Sequence, residues 1–382
     1  MKIKNRNNRP FLLILFIIFF SCSEDKPASP DLSYPGYPEE LDDGWPVAPM
    51  QILGMDEEII LNLSERIEKG DYGQVHSLTI ARGNHLIFDH YYLGYSADEL
   101  HRCYSVTKSV VSTLVGMAIE KGYISGVNEK ISTYLSPIDQ YEIVFRSDTD
   151  KQQLTLEHLL TMSAGLEWNE LAIPYSNSNN DWNQMSLSDD YILYTLLKPF
   201  VAPPGTQFNY NSGCTVILGK ILHLATGKHI DALAAEWLFE PLGITDYNWR
   251  TIAVHDMPHA ASGLDLRPRD MAKIGKLFIY DGIWEGEPIV PASWVEDAMD
   301  AHIPAWYETS YGYQWWMVRY TRIPEPGVHE TQYLKYAMGY AGQLIILIPV
   351  NDLVVVLTGG NGENMTDFGD MIFNYILEAV DE

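Results

Sequence analysis

The chain has 382 residues, 46% of them hydrophobic, and its 51 Asp and Glu against 25 Lys and Arg give a formal net charge of −26. That length and apolar content can bury a large core, as one big domain or two closely packed lobes. The acidic balance excludes nucleic acid as a partner and argues against a highly negative substrate.

Residues 1–21 read as a signal peptide. Lys2, Lys4, Arg6 and Arg9 make a basic start, and an apolar run over 11–20 follows, too short to span a bilayer comfortably. The run ends at Ser21-Cys22, which resembles a bacterial lipoprotein signal with Cys22 as the lipidated residue, although Phe19 stands where Leu is usual. An uncleaved anchor, or a plain secretory signal with Cys22 incidental, are the alternatives, and each of them exports the chain. Without residues 1–21, which hold four cations and no anions, the charge falls to about −30. Residues 22–50 are rich in proline and acid and read as a semi-extended tether. The expected location is therefore a bacterial membrane, on its periplasmic face or at the cell surface, anchored through Cys22. Cys103 and Cys214 remain, too few for a disulfide framework, and read as buried small hydrophobes.

The catalytic domain is expected over 51–382. Residues 75–92 alternate and turn as an antiparallel hairpin. Ser105-Val106-Thr107-Lys108 then opens a long apolar helix, ended by Gly122. Ser and Lys three apart at a helix start share a face. The hydroxyl has a candidate base in reach, and the helix N-terminus favours developing negative charge. Ser23-Glu24-Asp25-Lys26 carries the same four-residue pattern inside the tether, so context must separate the two.

A mostly helical lobe is expected over about 123–257, with a short helix at 154–162, a polar loop at 167–190 and a second apolar helix at 214–225. Pro203-Pro204-Gly205 leads through Tyr210-Asn211-Ser212 into that second helix. A tyrosine beside a serine–lysine pair can relay a proton, and Lys108 could lower its pKa; a buried Tyr bonding a loop carbonyl is the commoner use. Helices follow at 271–280 and 291–299, then strands at 311–318, 333–338, 343–349 and 353–358, with a turn at Val350-Asn351-Asp352 and a last helix at 371–380. Strands at both ends with helices between predict an α+β fold, one antiparallel sheet built from both chain ends with a helical lobe inserted. Gly339-Tyr340-Ala341-Gly342-Gln343 enters a long strand, and the N–H groups of Gln343 and Ser105 could form a two-donor oxyanion hole, with Gly342 allowing close approach.

In order and spacing these three motifs resemble the serine β-lactamase and penicillin-binding-protein superfamily, nearest its class C β-lactamase-like branch, which includes esterases, D-aminopeptidases and 6-aminohexanoate-dimer hydrolases. Further stretches match: Leu159-Leu160-Thr161-Met162-Ser163-Ala164-Gly165, Arg269-Asp270-Met271-Ala272-Lys273 and Tyr311-Gly312-Tyr313-Gln314-Trp315-Trp316. The resemblance implies a β-lactamase/transpeptidase-like fold, Ser105 as acylated nucleophile, Lys108 as its base and Tyr210 as proton carrier, with no cofactor and no metal. Two positions depart from the family. Its second motif often reads Tyr-x-Asn, where this chain has Ser212, and its third often begins with Lys or His, where this chain has Tyr340. A neutral phenol offers no cation to a β-lactam carboxylate.

The expected activity is hydrolysis of small esters or amides through an acyl-enzyme on Ser105, with Trp168, Trp182, Tyr175 and Tyr340 candidates for the cleft wall. The alternatives are a D-stereospecific peptidase or weak β-lactamase acting on cell-wall-type peptides, and a non-catalytic binding protein of the same fold. Oligomeric state is not legible. Neither a G-x-S-x-G elbow nor an H-E-x-x-H, P-loop or dinucleotide fingerprint is present.

Overall fold

A computed structural model describes residues 34–252, 257–322, 329–363 and 367–380. The signal segment and Cys22 lie outside the described residues.

The main sheet has eight strands: β1 (Val75–Arg82), β2 (His85–Tyr91), β3 (Ile303–Pro304), β4 (Thr309–Tyr311), β5 (Trp316–Arg322), β6 (Glu330–Gly339), β7 (Gln343–Ile348) and β8 (Leu353–Gly359). Their order is β3-β4-β5-β6-β7-β8-β1-β2, and each neighbouring pair is antiparallel. The join between the two chain ends is β1 against β8, with Leu78 opposite Leu357 and Ile80 opposite Val355. β7 and β8 are buried along their whole length, so they read as continuous apolar runs and not as alternation. Asp352, at φ 55, makes the turn between them.

Helix Pro268–Ile279 covers one face, against β1, β7 and β8. It lies so close that a Cβ at Gly275 would stand 2.6 Å from Val354 Cγ1. Helix Val106–Glu120 packs against β6 and β7 and against helix Ser212–Thr226. Its residues from Val106 to Ala118 are all buried, polar ones included. Those polar groups are tied down: Ser109 and Ser112 donate to the carbonyls of Gln314 and Tyr313, each at 2.7 Å. Asn211 caps helix Ser212–Thr226 by accepting from Cys214 N, and Gly227, at φ 74, ends it. Cys103 and Cys214 are buried free thiols.

Three expectations change. The tether does not extend to residue 50 as a solvated spacer: Tyr34, Trp45 and Met50 are buried. Arg269 holds this segment, its guanidinium reaching Asp43 at 2.8 Å, the carbonyl of Glu39 at 2.7 Å and Asp89 of β2 at 2.7 Å. Aromatic residues scattered among the prolines supply the apolar surface that a composition average hides. The strand expected over 311–318 is broken between β4 and β5. Gln314 turns there at φ 67 because its amide serves the helical lobe, donating to the carbonyls of Leu159 and Leu160 and accepting from Thr215. The last helix starts earlier, at Phe368, where Asp367 caps it, and continues as a π-helical turn over Ile372–Ile376.

Candidate active site

Ser105 stands at the N-cap of helix Val106–Glu120, a position where serine normally spends its hydroxyl on the helix's own N–H groups. Here it does not. Its backbone is already helical (φ −68, ψ −9), and no side-chain capping bond forms. The preceding Tyr104 takes φ 45, a left-handed conformation uncommon outside glycine, and this sets the turn. The hydroxyl is left to Lys108, whose Nζ donates to Ser105 Oγ at 2.9 Å and to the carbonyl of Ala261 at 2.9 Å. Burial pulls the Lys108 ammonium down to about 8, and the charge of Glu170 opposes part of that fall. A lysine so placed is neutral often enough near neutral pH to accept a proton.

Tyr210 sits beside this pair. It lines the same cavity as Ser105, and its ring centre lies 5.1 Å from Lys108 Nζ. Trp316 stacks on the ring at 5.8 Å. The expected lowering of the phenol pKa does not occur: burial first, then the charge of Glu170, push it up. Tyr210 is thus held as a proton donor, not as a phenolate.

The third motif reaches Ser105 through Gly339. A Cβ at this position would stand 2.3 Å from the carbonyl of Cys103 and 3.2 Å from Ser105 N, so only glycine fits. The turn Tyr340-Ala341-Gly342 then carries positive φ at Ala341 and Gly342. The structure departs from expectation at Gln343 and Gly342, which line neither cavity at Ser105. Gln343 is buried opposite Gly339, and its amide donates to the carbonyls of Gly359 and Tyr340 at 2.7 and 3.3 Å. Its strand pairing and side chain are both spent on the sheet. The backbone N–H groups of Ser105 and Tyr340, by contrast, have no hydrogen-bond acceptor among the described residues.

Two adjoining cavities, of about 350 and 320 Å³, meet at Ser105 and share Glu170, Tyr175, Tyr340 and Glu363. The first is walled by Tyr210, Leu171, Ile173, Trp316 and Met338. The second is walled by Arg102, Tyr104, Ser176, Trp182, Ser212 and Ser262. Tyr175 and Tyr340 meet edge to face at 5.5 Å where the lobes join. Ser176 N donates to Glu363 at 2.7 Å, binding the 170–180 loop to the segment after β8. Trp168 is set back from Ser105 and donates its indole N–H to Glu170 at 2.7 Å.

Sequence reasoning missed Glu170. This buried carboxylate accepts four hydrogen bonds, from Trp168 Nε1, Tyr175 Oη, Ser212 N and Ser212 Oγ. Its signal was present only as an acid inside a polar loop, with nothing to mark it as buried. Arg102 was also passed over. It stacks on Tyr104 at 4.5 Å, and its Nε has no hydrogen-bond partner among the described residues.

An antiparallel sheet with a helical insert, and a serine addressed by a buried lysine at their junction, define a serine hydrolase. A family model described as Beta-lactamase matches residues 72–372, and the chain belongs to that family. The chain is 24% identical over 295 residues to a 6-aminohexanoate-dimer hydrolase of Paenarthrobacter ureafaciens, covering 72% of this chain and 70% of that one. It is 24% identical over 192 residues to a lovastatin esterase of Penicillium rubens, covering 47% and 46%. Its fold is similar to that of a solved β-lactamase/D-alanine carboxypeptidase from Pseudomonas syringae, with TM-score 0.62 at 15% identity over 85% of this chain and 99% of that one.

Proposed function

We propose that the protein hydrolyses small esters or amides through an acyl-enzyme on Ser105. The contact of Lys108 Nζ with Ser105 Oγ, at 2.9 Å, carries this reading. Neutral Lys108 takes the Ser105 proton as Oγ attacks the carbonyl carbon. The oxyanion is received by the N–H groups of Ser105 and Tyr340. As the bond to the leaving atom breaks, Tyr210 gives that atom its proton and is reprotonated from Lys108. Water, deprotonated along the same path, releases the acid and restores Ser105. The names of two relatives, a 6-aminohexanoate-dimer hydrolase and a lovastatin esterase, support the substrate class.

A fluorophosphonate probe with a panel of p-nitrophenyl esters, small linear amides, D-amino acid peptides and a chromogenic cephalosporin, on wild type and Ser105→Ala, tests it. Ester or amide turnover lost in the variant is expected. A folded protein left unlabelled at Ser105 points instead to a binding protein. Cephalosporin or D-peptide turnover above ester turnover favours the cell-wall reading. Against that reading, the Ser212 hydroxyl is already given to Glu170 and the third motif begins with the neutral Tyr340.

We further propose export and lipid attachment at Cys22, supported by the basic start, the apolar run and Ser21-Cys22. Incorporation of labelled palmitate into wild type and its loss in Cys22→Ser is the expected outcome.

A further inference from the structure

We infer that the two lobes sort the substrate by polarity: the leaving group is an apolar alcohol or amine held in the Tyr210 lobe, and the acyl group is neutral and polar, held in the Arg102 lobe. The inference rests on the acyl-enzyme reading above.

The two lobes meet at Ser105, so a carbonyl carbon placed there sends one half of the substrate each way. Which half goes where is fixed by the proton. Bond breaking requires a donor within hydrogen-bond reach of the leaving atom. Tyr210 lines the first lobe and not the second. The leaving atom therefore lies on the first side, and the group attached to it extends past Leu171, Ile173 and Met338. This lobe does not end there. Leu171, Ala172 and Tyr210 also line an adjoining groove that continues to Phe208 and Trp306. Leu171 and Trp306 are 39% and 40% exposed, so apolar surface extends from the cavity to the protein's outside. A leaving group of several carbons has somewhere to go.

The second lobe adds Arg102, Ser176, Ser212 and Ser262 to the residues the two share, beside the rings of Tyr104 and Trp182. Ser262 Oγ and Arg102 Nε are buried and lack hydrogen-bond partners among the described residues, which is costly unless something supplies an acceptor. An ether, hydroxyl or amide oxygen on the acyl group supplies one. A full negative charge is opposed there, because Glu170 and Glu363 line the same lobe as Arg102. The step balances without further reactants. The Ser105 proton passes to Lys108, the Oγ–C bond forms, the bond from carbon to the leaving atom breaks, and that atom takes the Tyr210 proton.

The test is two ester series on the full chain. One holds the acyl group as acetyl and lengthens the alcohol from methyl to hexyl; the other holds methyl and lengthens the acid from acetic to hexanoic. In the alcohol series kcat/KM should rise roughly threefold to fourfold per methylene, the fold-change expected for burying each one. In the acid series it should be flat or fall, and methyl methoxyacetate should exceed methyl butanoate. Leu171→Gln should flatten the alcohol series more than the acid series, and Ser262→Ala should remove the methoxyacetate preference. A steeper rise along the acid series, or equal slopes, overturns the assignment while leaving the hydrolase reading intact. Turnover of neither series, with Ser105 unlabelled by the fluorophosphonate, overturns both.

Discussion

Ser212 gives both its backbone N–H and its hydroxyl to Glu170, at 2.9 and 2.6 Å. The third residue of the second motif is thereby committed to a buried carboxylate, and that carboxylate also acts at a distance on the two proton-handling groups. Glu170 raises the pKa of Lys108 and of Tyr210.

Glu170→Gln should therefore move the acid limb of the pH profile. With the negative charge gone, the Lys108 ammonium loses a stabilising neighbour and falls further below about 8, so the rise of kcat/KM shifts to lower pH. The amide also turns an N–H₂ toward groups that all donate to the acid, leaving donors unpaired at a cost of about 1–3 kcal/mol. A pH–rate profile and a melting curve read the two effects separately.

In the wild type the rate should climb with pH through about 8 as Lys108 loses its proton. Stability carries the same sign. Burial depresses the Lys108 pKa, so below about 8 the folded state holds a charge that it disfavours. Between that pH and the ordinary lysine value the unfolded chain binds more protons, and stability rises with pH. Lys108→Met should abolish probe labelling yet melt higher than wild type at pH 7, the gap narrowing above pH 8. Equal melting temperatures at all pH values would count against a charged, buried Lys108.

At Gly339 even one methyl group has no room. Gly339→Ala puts a Cβ 2.3 Å from the Cys103 carbonyl, so the strand end or the Ser105 turn must move. Displacing one oxyanion donor typically costs on the order of 100- to 1000-fold in kcat. Loss of that size with circular dichroism unchanged is the expected result; wild-type turnover would sink the placement of the third motif.

The N-terminal segment depends on Arg269, whose guanidinium reaches Asp89, Asp43 and the Glu39 carbonyl. Arg269→Met strands Asp89 as a buried charge and should cost about 3–5 kcal/mol. Arg269→Met with Asp89→Asn should recover part of the loss. A melting temperature unmoved by the single change would show that the segment is held by its aromatic residues alone.

Much of this architecture is legible in the chain because its signals are local and repeated. Apolar runs flanked by Gly or Asp mark β1, β2, β7 and β8, and the proximity of Ser105, Lys108 and Tyr210 follows once the motif order is recognised. What escapes is set by long-range partners. Gln314 breaks a strand because it serves helices far away in sequence. Glu170 looks like any loop acid until Ser212 and Trp168 close on it. Gln343 carries an N–H as good as its neighbours' on paper, and only the sheet pairing assigns it elsewhere.

The pairing of β1 with β8 sets the moment in the chain's life when the site can exist. Ser105 and Lys108 are translated early, but Gly339, Tyr340 and Glu363, which frame the cleft beside them, come near the end. Closing such long loops is the slow part of folding. A ribosome-bound chain therefore carries its serine and lysine without the residues that wall the cleft beside them, and the proposed site is incomplete until the last strands are in place.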